Sequence, residues 1–151
     1  MDHPNKEGDI KMAEKKGMTI LLHSGDLDKA IAAFILATGA AAKGIKTTMF
    51  FTFWGLKVIQ KGGAESAKLS KMNMGGLGKM MIKRLMKKNN VAPLEELIKD
   101  AGELGVRLIA CEMTMSLMNV PKDSLISEVK EIGGVGTFLD ASNESNIHYV
   151  F

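Results

Sequence analysis

The chain has 151 residues, 46% of them apolar, and 20 basic against 17 acidic side chains leave a formal charge of +3. That length and apolar content suit one domain with a real core, and so small a global excess of charge is no argument for nucleic acid. One cysteine, Cys111, rules out an intramolecular disulfide framework and fits a reducing, cytoplasmic setting, where it is a thiol or a thiolate.

Residues 1–16 are polar and charged, lack the apolar core of a signal peptide, and read as a flexible leader before a domain spanning 17–151. Met18 to His23 is a short apolar run that fits a strand buried on both faces of a parallel sheet. Ser24-Gly25-Asp26 breaks it, and an Ala-rich helix is expected from Leu27 to Ala42, with Ser24 or Asp26 as its N-cap and Gly44 as its stop. The apolar stretch from Ala30 to Ala42 falls short of the ~20 residues needed to span a bilayer, so no membrane span is expected.

Lys46 to Phe53 is rich in β-branched and aromatic residues and should form the second strand, parallel to the first because a helix intervenes. Trp54-Gly55 ends it, and a short helix from Leu56 to Gln60 is expected next. Residues 61–90 are rich in Gly, Met and Lys and have no obvious place in a minimal core, so they read as an insertion. Pro93 in a first turn and Glu95-Glu96 near the positive helix end announce a helix to Glu103, closed by Gly105. Val106 to Ala110 is the third strand, Cys111 stands at its carboxyl edge, and one or two helical turns follow from Glu112 to Met118. Ser124 can cap a further short helix; Val129 to Ile132 is a weak strand, Gly136 to Ser145 a helix, and Asn146 to Phe151 a last strand.

This alternation predicts an α/β fold with an open, mostly parallel five-stranded sheet and helices on both faces. Ligands of such sheets bind beyond the carboxyl ends of the strands. Three segments converge there: His23-Ser24-Gly25-Asp26, Phe53-Trp54-Gly55 and Cys111-Glu112. Most cysteines in globular proteins simply fill cores. Cys111 differs in standing where a buried strand meets a helix, whose first amides can stabilise a thiolate. Without a second cysteine, a dithiol redox cycle within the chain is excluded. A Cys-His hydrolase would need a base, and of His3, His23 and His148 only His23 is expected near the sulfur. The Glu112 carboxylate would oppose a low thiol pKa if it faced the sulfur.

Thr19-Ile-Leu-Leu-His-Ser-Gly-Asp-Leu-Asp-Lys-Ala30, Phe51-Thr-Phe-Trp-Gly-Leu56 and Leu108-Ile-Ala-Cys-Glu-Met-Thr-Met-Ser-Leu-Met118 resemble the DsrE/DsrF/DsrH-like family of sulfur-relay proteins and sulfurtransferases. The resemblance covers most of the chain from Gly17 onward. It implies that Cys111 accepts a sulfane sulfur as a persulfide and hands it to a partner thiol without a bound cofactor. It also implies a homo-oligomer, a trimer or hexamer, and sulfur donors and acceptors that are proteins or small persulfides. The amides after Cys111, with Ser24 and Gly25 across the cleft, would steady the persulfide anion. Whether such a carrier is an enzyme depends on turnover. The alternatives are a non-catalytic oligomeric module binding a ligand or partner, and a thiol peroxidase working through a sulfenic acid.

Between Lys57 and Asn90 stand nine basic residues and one acid, Glu65, a local charge of +8. A solvated face is the ordinary explanation of such a run, and a docking surface for an acidic partner the sharper one. It lacks the interleaved aromatics of a single-strand nucleic-acid platform. Lys79 to Lys88 mixes Met, Leu and basic residues at helical spacing and suggests an adaptable lid or oligomer contact. Gly75-Gly76-Leu77-Gly78 follows no expected strand and reads as a hinge rather than a phosphate loop. No metal-ligand spacing is present, so no metal is expected.

Overall fold

The computed structural model describes residues 17–151; the leader, with His3, lies outside the described residues. Five strands form: β1 (Gly17–Leu22), β2 (Lys46–Phe51), β3 (Arg107–Cys111), β4 (Glu131–Gly133) and β5 (Ile147–Val150). Around them run α1 (Leu27–Ala42), α2 (Gly63–Ser66), α3 (Leu77–Lys88), α4 (Leu94–Glu103), α5 (Glu112–Leu117) and α6 (Val135–Asn143). The strand order is β4-β3-β2-β1-β5 and every neighbouring pair is parallel, so the sheet expected to be mostly parallel is parallel throughout. Among the described residues an isolated antiparallel bridge, Gln60 with Leu125, stands apart from it.

Parallel strands covered on both faces are apolar nearly without interruption, and successive side chains divide between the two faces. Ile20, Leu22, Met49, Phe51, Leu108 and Ala110 meet α1 and α4 in the main core. Phe50, Ile109 and Cys111 point the other way, where Leu21 and Phe138 of α6 pack on them. The Phe50 and Phe138 rings stack with centroids 5.1 Å apart. Helices therefore flank both faces. α1 buries Ala30, Ala33, Phe34 and Ala37, a stripe at helical spacing whose small residues let it approach the sheet closely. Burying Phe34 alone contributes about 1.5–3 kcal/mol.

Several boundaries differ from the expected ones, each for a local reason. β2 ends at Phe51 because Phe53 turns to φ +46 and opens a 3-10 turn, Phe53–Ile59, in place of the helix expected over Leu56–Gln60. Pro93 occupies the N-cap of α4 instead of its first turn. Ser124 closes a 3-10 turn, Lys122–Ser124, and donates to the Pro121 carbonyl at 2.7 Å, so it caps no helix. Val129 is held in a turn by its amide bond to the Ile126 carbonyl, which delays β4 to Glu131.

Within residues 61–90, the Ser70 amide and hydroxyl bind the Asp28 carboxylate at 2.8 and 2.7 Å, tying the segment to the start of α1. α3 is amphipathic but oriented unusually. Lys79 donates to the Glu65 carbonyl and Lys83 pairs with Glu95 at 3.8 Å, while Leu77, Met80, Met81 and Leu85 are exposed. Only Gly78 of this helix is buried.

Candidate functional site

Cys111 is the last residue of β3 and the N-cap residue of α5. Parallel pairing sets Phe51 opposite Ala110, so Thr52 comes next beside Cys111. Thr114, on the first turn of α5, is fully buried, and its hydroxyl lies 2.9 Å from that of Thr52. The Phe53 amide donates to the Thr114 oxygen at 3.1 Å. The unusual backbone of Phe53 thus has a use: it turns an N–H onto the threonine beside the sulfur.

Burial pushes the Cys111 thiol pKa up and is the largest single influence on it. Hydrogen bonds from the Thr114 side chain and amide, the Thr52 side chain and the Met113 amide together outweigh burial, so the pKa lies below the ordinary thiol value. Hydroxyls and helix-start amides supply this stabilisation, with no cation needed. Glu112 is exposed and is not among the groups acting on the sulfur. At 4% exposure Cys111 is nearly enclosed. Its side chain shares the α6 face with Phe50 and Ile109, and apolar packing covers it.

The other candidates divide. His23, Ser24, Gly25, Asp26 and Trp54 line one cavity of about 570 Å³, together with Lys29, Lys57 and Lys68. Cys111, Glu112 and Gly55 are not part of its lining. β2 separates the ends of β1 and β3, so His23 and Cys111 follow strands that do not pair with each other. Ser24 donates to Asp26 at 2.9 Å and accepts from the Asp26 amide at 3.1 Å, so its hydroxyl is engaged within its own loop and not with the sulfur. Asp26 is the N-cap residue of α1, makes no side-chain cap bond and pairs with Lys29 at 2.8 Å.

Two glycines hold these loops together. A Cβ on Gly55 would lie 2.1 Å from the Leu22 carbonyl oxygen, and one on Gly25 would lie 2.8 Å from the Trp54 carbonyl oxygen. The Gly55 amide bonds to the His23 carbonyl at 3.0 Å. The 3-10 turn therefore lies directly against the exit of β1, possible only without side chains at the contact. Trp54 is exposed, with the Lys57 ammonium 4.9 Å from its ring centroid.

Thr52 and Thr114 were not anticipated from the sequence. Thr114 stands three residues after an N-cap residue, the spacing at which capping-box side chains reach back, and that spacing is the one signal in the sequence that marks it. Thr52 becomes visible only once the β2–β3 register is known.

A lone thiol at the carboxyl end of a central strand, in an all-parallel five-stranded sheet, marks a one-cysteine α/β protein. The chain belongs to the DsrE/DsrF/DrsH-like family, whose model matches residues 14–68 and 62–150. It is 39% identical to the uncharacterized protein YrkE of Bacillus subtilis, with 89% of this chain and 96% of that protein covered. It is 36% identical to the sulfur carrier protein DsrE2 of Allochromatium vinosum, with 89% and 97% covered. Among solved structures, the fold is similar to that of the ychN protein from E. coli (TM-score 0.61, 10% identity, 89% of this chain and 99% of that one). It is similar too to the protein of unknown function MTH1491 from Methanobacterium thermoautotrophicum (TM-score 0.59, 13% identity, 89% and 97%). Family and relative together support a general role in sulfur relay. Among the described residues no helix is long and apolar enough to cross a membrane.

Proposed function

We propose that this protein carries sulfane sulfur as a persulfide on Cys111 and passes it to a partner thiol. The observation that carries the reading is the place of the lone thiol, last in β3 and at the N-cap of α5 beside the bonded Thr52 and Thr114 hydroxyls, where its pKa is held below the ordinary value despite burial. In the loading step the Cys111 thiolate attacks the terminal sulfur of a donor persulfide, R–S–SH. A sulfur–sulfur bond forms to Cys111, the donor's own sulfur–sulfur bond breaks, and R–S⁻ leaves with the electron pair. The proton stays on the new persulfide until solvent takes it. No oxidant is consumed, and delivery runs the same exchange toward an acceptor thiolate. The donors that lower the thiol pKa suit the persulfide anion equally. A reducing cytoplasm suits such a thiol. The basic stretch and the exposed apolar residues of α3 suit contact with an acidic partner or a further copy of the chain.

Intact mass spectrometry of the reduced protein after exposure to thiosulfate, polysulfide or an organic persulfide tests this. A gain of about 32 Da, removed by dithiothreitol and absent in Cys111→Ser, is expected. If wild type gains nothing from any donor, the reading fails. A second reading, a ligand-binding module, is favoured by one observation: the 570 Å³ cavity is lined without Cys111. Ligand binding that is unchanged in Cys111→Ser, with no loading of the wild type, would establish it.

A further inference from the structure

We propose that the outward face of α3, with Met72 and Met74 just before it, docks on an anionic lipid bilayer, where the protein rests on the surface without crossing it. The proposal is independent of the persulfide reading and concerns a different part of the molecule. At the helical repeat, Leu77, Met80, Met81, Arg84, Leu85 and Lys88 fall on one face, and all of them are exposed. The opposite face is held to the body of the protein. Gly78 is buried, and a Cβ there would lie 1.8 Å from the Met72 carbonyl oxygen. Lys79 donates to the Glu65 carbonyl and Lys83 pairs with Glu95 at 3.8 Å. Turning the apolar side inward would break these contacts, so the fold itself presents it to the outside. Met72 and Met74, at 70% and 65% exposure, carry the apolar surface beyond the start of the helix.

Charge decides what covers this face. α3 has five basic residues and no acidic one, within a stretch whose local charge is +8. The complement must be anionic and must also accept apolar side chains. Arg84 and Lys88 stand within the apolar stripe rather than along its border. A folded partner would have to bury each cation against a matched carboxylate, at a high cost in desolvation. A bilayer sets no such condition, because long basic side chains lie along apolar ground and raise their charge to the headgroups. Methionine and leucine meanwhile enter the boundary with the acyl chains, as in amphipathic helices that lie in the plane of a membrane. The 12 residues of α3 suffice for this, since nothing has to span. Attraction to anionic lipid acts within a Debye length, so added salt weakens it.

The test is co-sedimentation of the full chain with vesicles of phosphatidylcholine, with or without an equal part of phosphatidylglycerol. Wild type should partition onto the anionic vesicles, far less onto the neutral ones, and should be released by high salt. Leu77→Ser/Met81→Ser removes apolar area and Arg84→Gln/Lys88→Gln removes charge, both at exposed positions, so each variant should melt like wild type. Each should lower partitioning about tenfold, in line with what buried apolar groups and surface cations contribute at an anionic membrane. Lys122→Gln/Lys130→Gln makes the same loss of charge at exposed lysines ahead of β4 and should leave partitioning close to wild type. An equal fall in this control and in Arg84→Gln/Lys88→Gln would mean that net charge alone drives binding, which overturns the assigned face. Unchanged partitioning in both α3 variants overturns it as well. A wild type that stays in solution with every vesicle overturns the proposal outright; a smaller particle size for Leu77→Ser/Met81→Ser would then give the face to a second copy of the chain.

Discussion

Two strand-to-helix junctions lie on the same edge of the sheet and use the same kinds of group differently. At the exit of β1, Ser24, Asp26 and Lys29 bond to one another beside an open cavity, ahead of a 16-residue helix. At the exit of β3, Thr114 of a six-residue helix pairs with Thr52 beside one nearly enclosed sulfur. Helix length and a polar turn therefore do not distinguish a chemical centre from a ligand seat. The setting of the polar groups does: at β1 the loop bonds to itself, and at β3 the paired Thr52 and Thr114 hydroxyls stand beside a thiol whose pKa they help to lower.

The largest effect that separates the junctions comes from removing one hydroxyl at each. Thr114→Val keeps the shape and deletes a donor to the sulfur. A hydrogen bond to a charged group contributes about 1.5–3 kcal/mol, and 1.36 kcal/mol corresponds to one pH unit. The midpoint of alkylation by iodoacetamide should therefore rise by about one pH unit or more. The sign follows from the wild-type pKa being held below the ordinary thiol value: loss of a donor to the thiolate returns it upward. At pH 7 alkylation and sulfur loading should both slow about tenfold. Ser24→Ala should leave the alkylation midpoint in place, and if it moves the midpoint as far as Thr114→Val does, the two junctions act as one site.

The next effect concerns the turn that separates them. Gly55→Ala must move backbone, since its Cβ would meet the Leu22 carbonyl oxygen at 2.1 Å. Overpacking of this kind costs about 1–3 kcal/mol, to be read from chemical denaturation. Gly25→Ala meets the Trp54 carbonyl oxygen at 2.8 Å and should cost less. Equal losses would show that the loop gives way as freely at one contact as at the other.

What the sequence disclosed follows the range of the interactions involved. α1 appears over the residues expected, Leu27–Ala42, because alanine propensity and a bounding glycine at φ +77 act within a few residues. The placement of Cys111 at the end of β3 was legible for the same reason. The partner hydroxyl of Thr52 was not, because it is 62 residues from Thr114 and meets it only through the β2–β3 register. In sequence, Thr52 reads as an ordinary β-branched strand residue. The separation of His23 from the sulfur was hidden likewise, since it depends on β2 lying between β1 and β3. The exposed apolar residues of α3 came from a competition that periodicity does not report: Lys79 and Lys83 find partners on the body of the protein, and Leu77, Met80, Met81 and Leu85 are left in solvent.

The smallest effect lies at the opposite, amino-terminal end of β3 and serves as its control. Arg107 holds Glu131 of β4 through two hydrogen bonds of 2.6 Å, and this contact keeps the Glu131 carboxyl below its ordinary range and the Arg107 guanidinium above its own. Because the folded carboxyl pKa is depressed, the stabilisation is present above the unfolded-state pKa and is lost as pH falls through the folded-state one. Both side chains are about a third or more exposed, at 40% and 33%, so solvent screening limits the contribution to about 1 kcal/mol or less. Glu131→Gln should lower stability by that amount near pH 7 and by nothing measurable in strong acid. Its alkylation midpoint should match wild type, because this ion pair stands at the opposite end of β3 from Cys111. A midpoint that rises with Glu131→Gln would mean that strand pairing at one end of β3 sets the sulfur's environment at the other, and the donors at the β3–α5 junction would then no longer account for its low pKa alone.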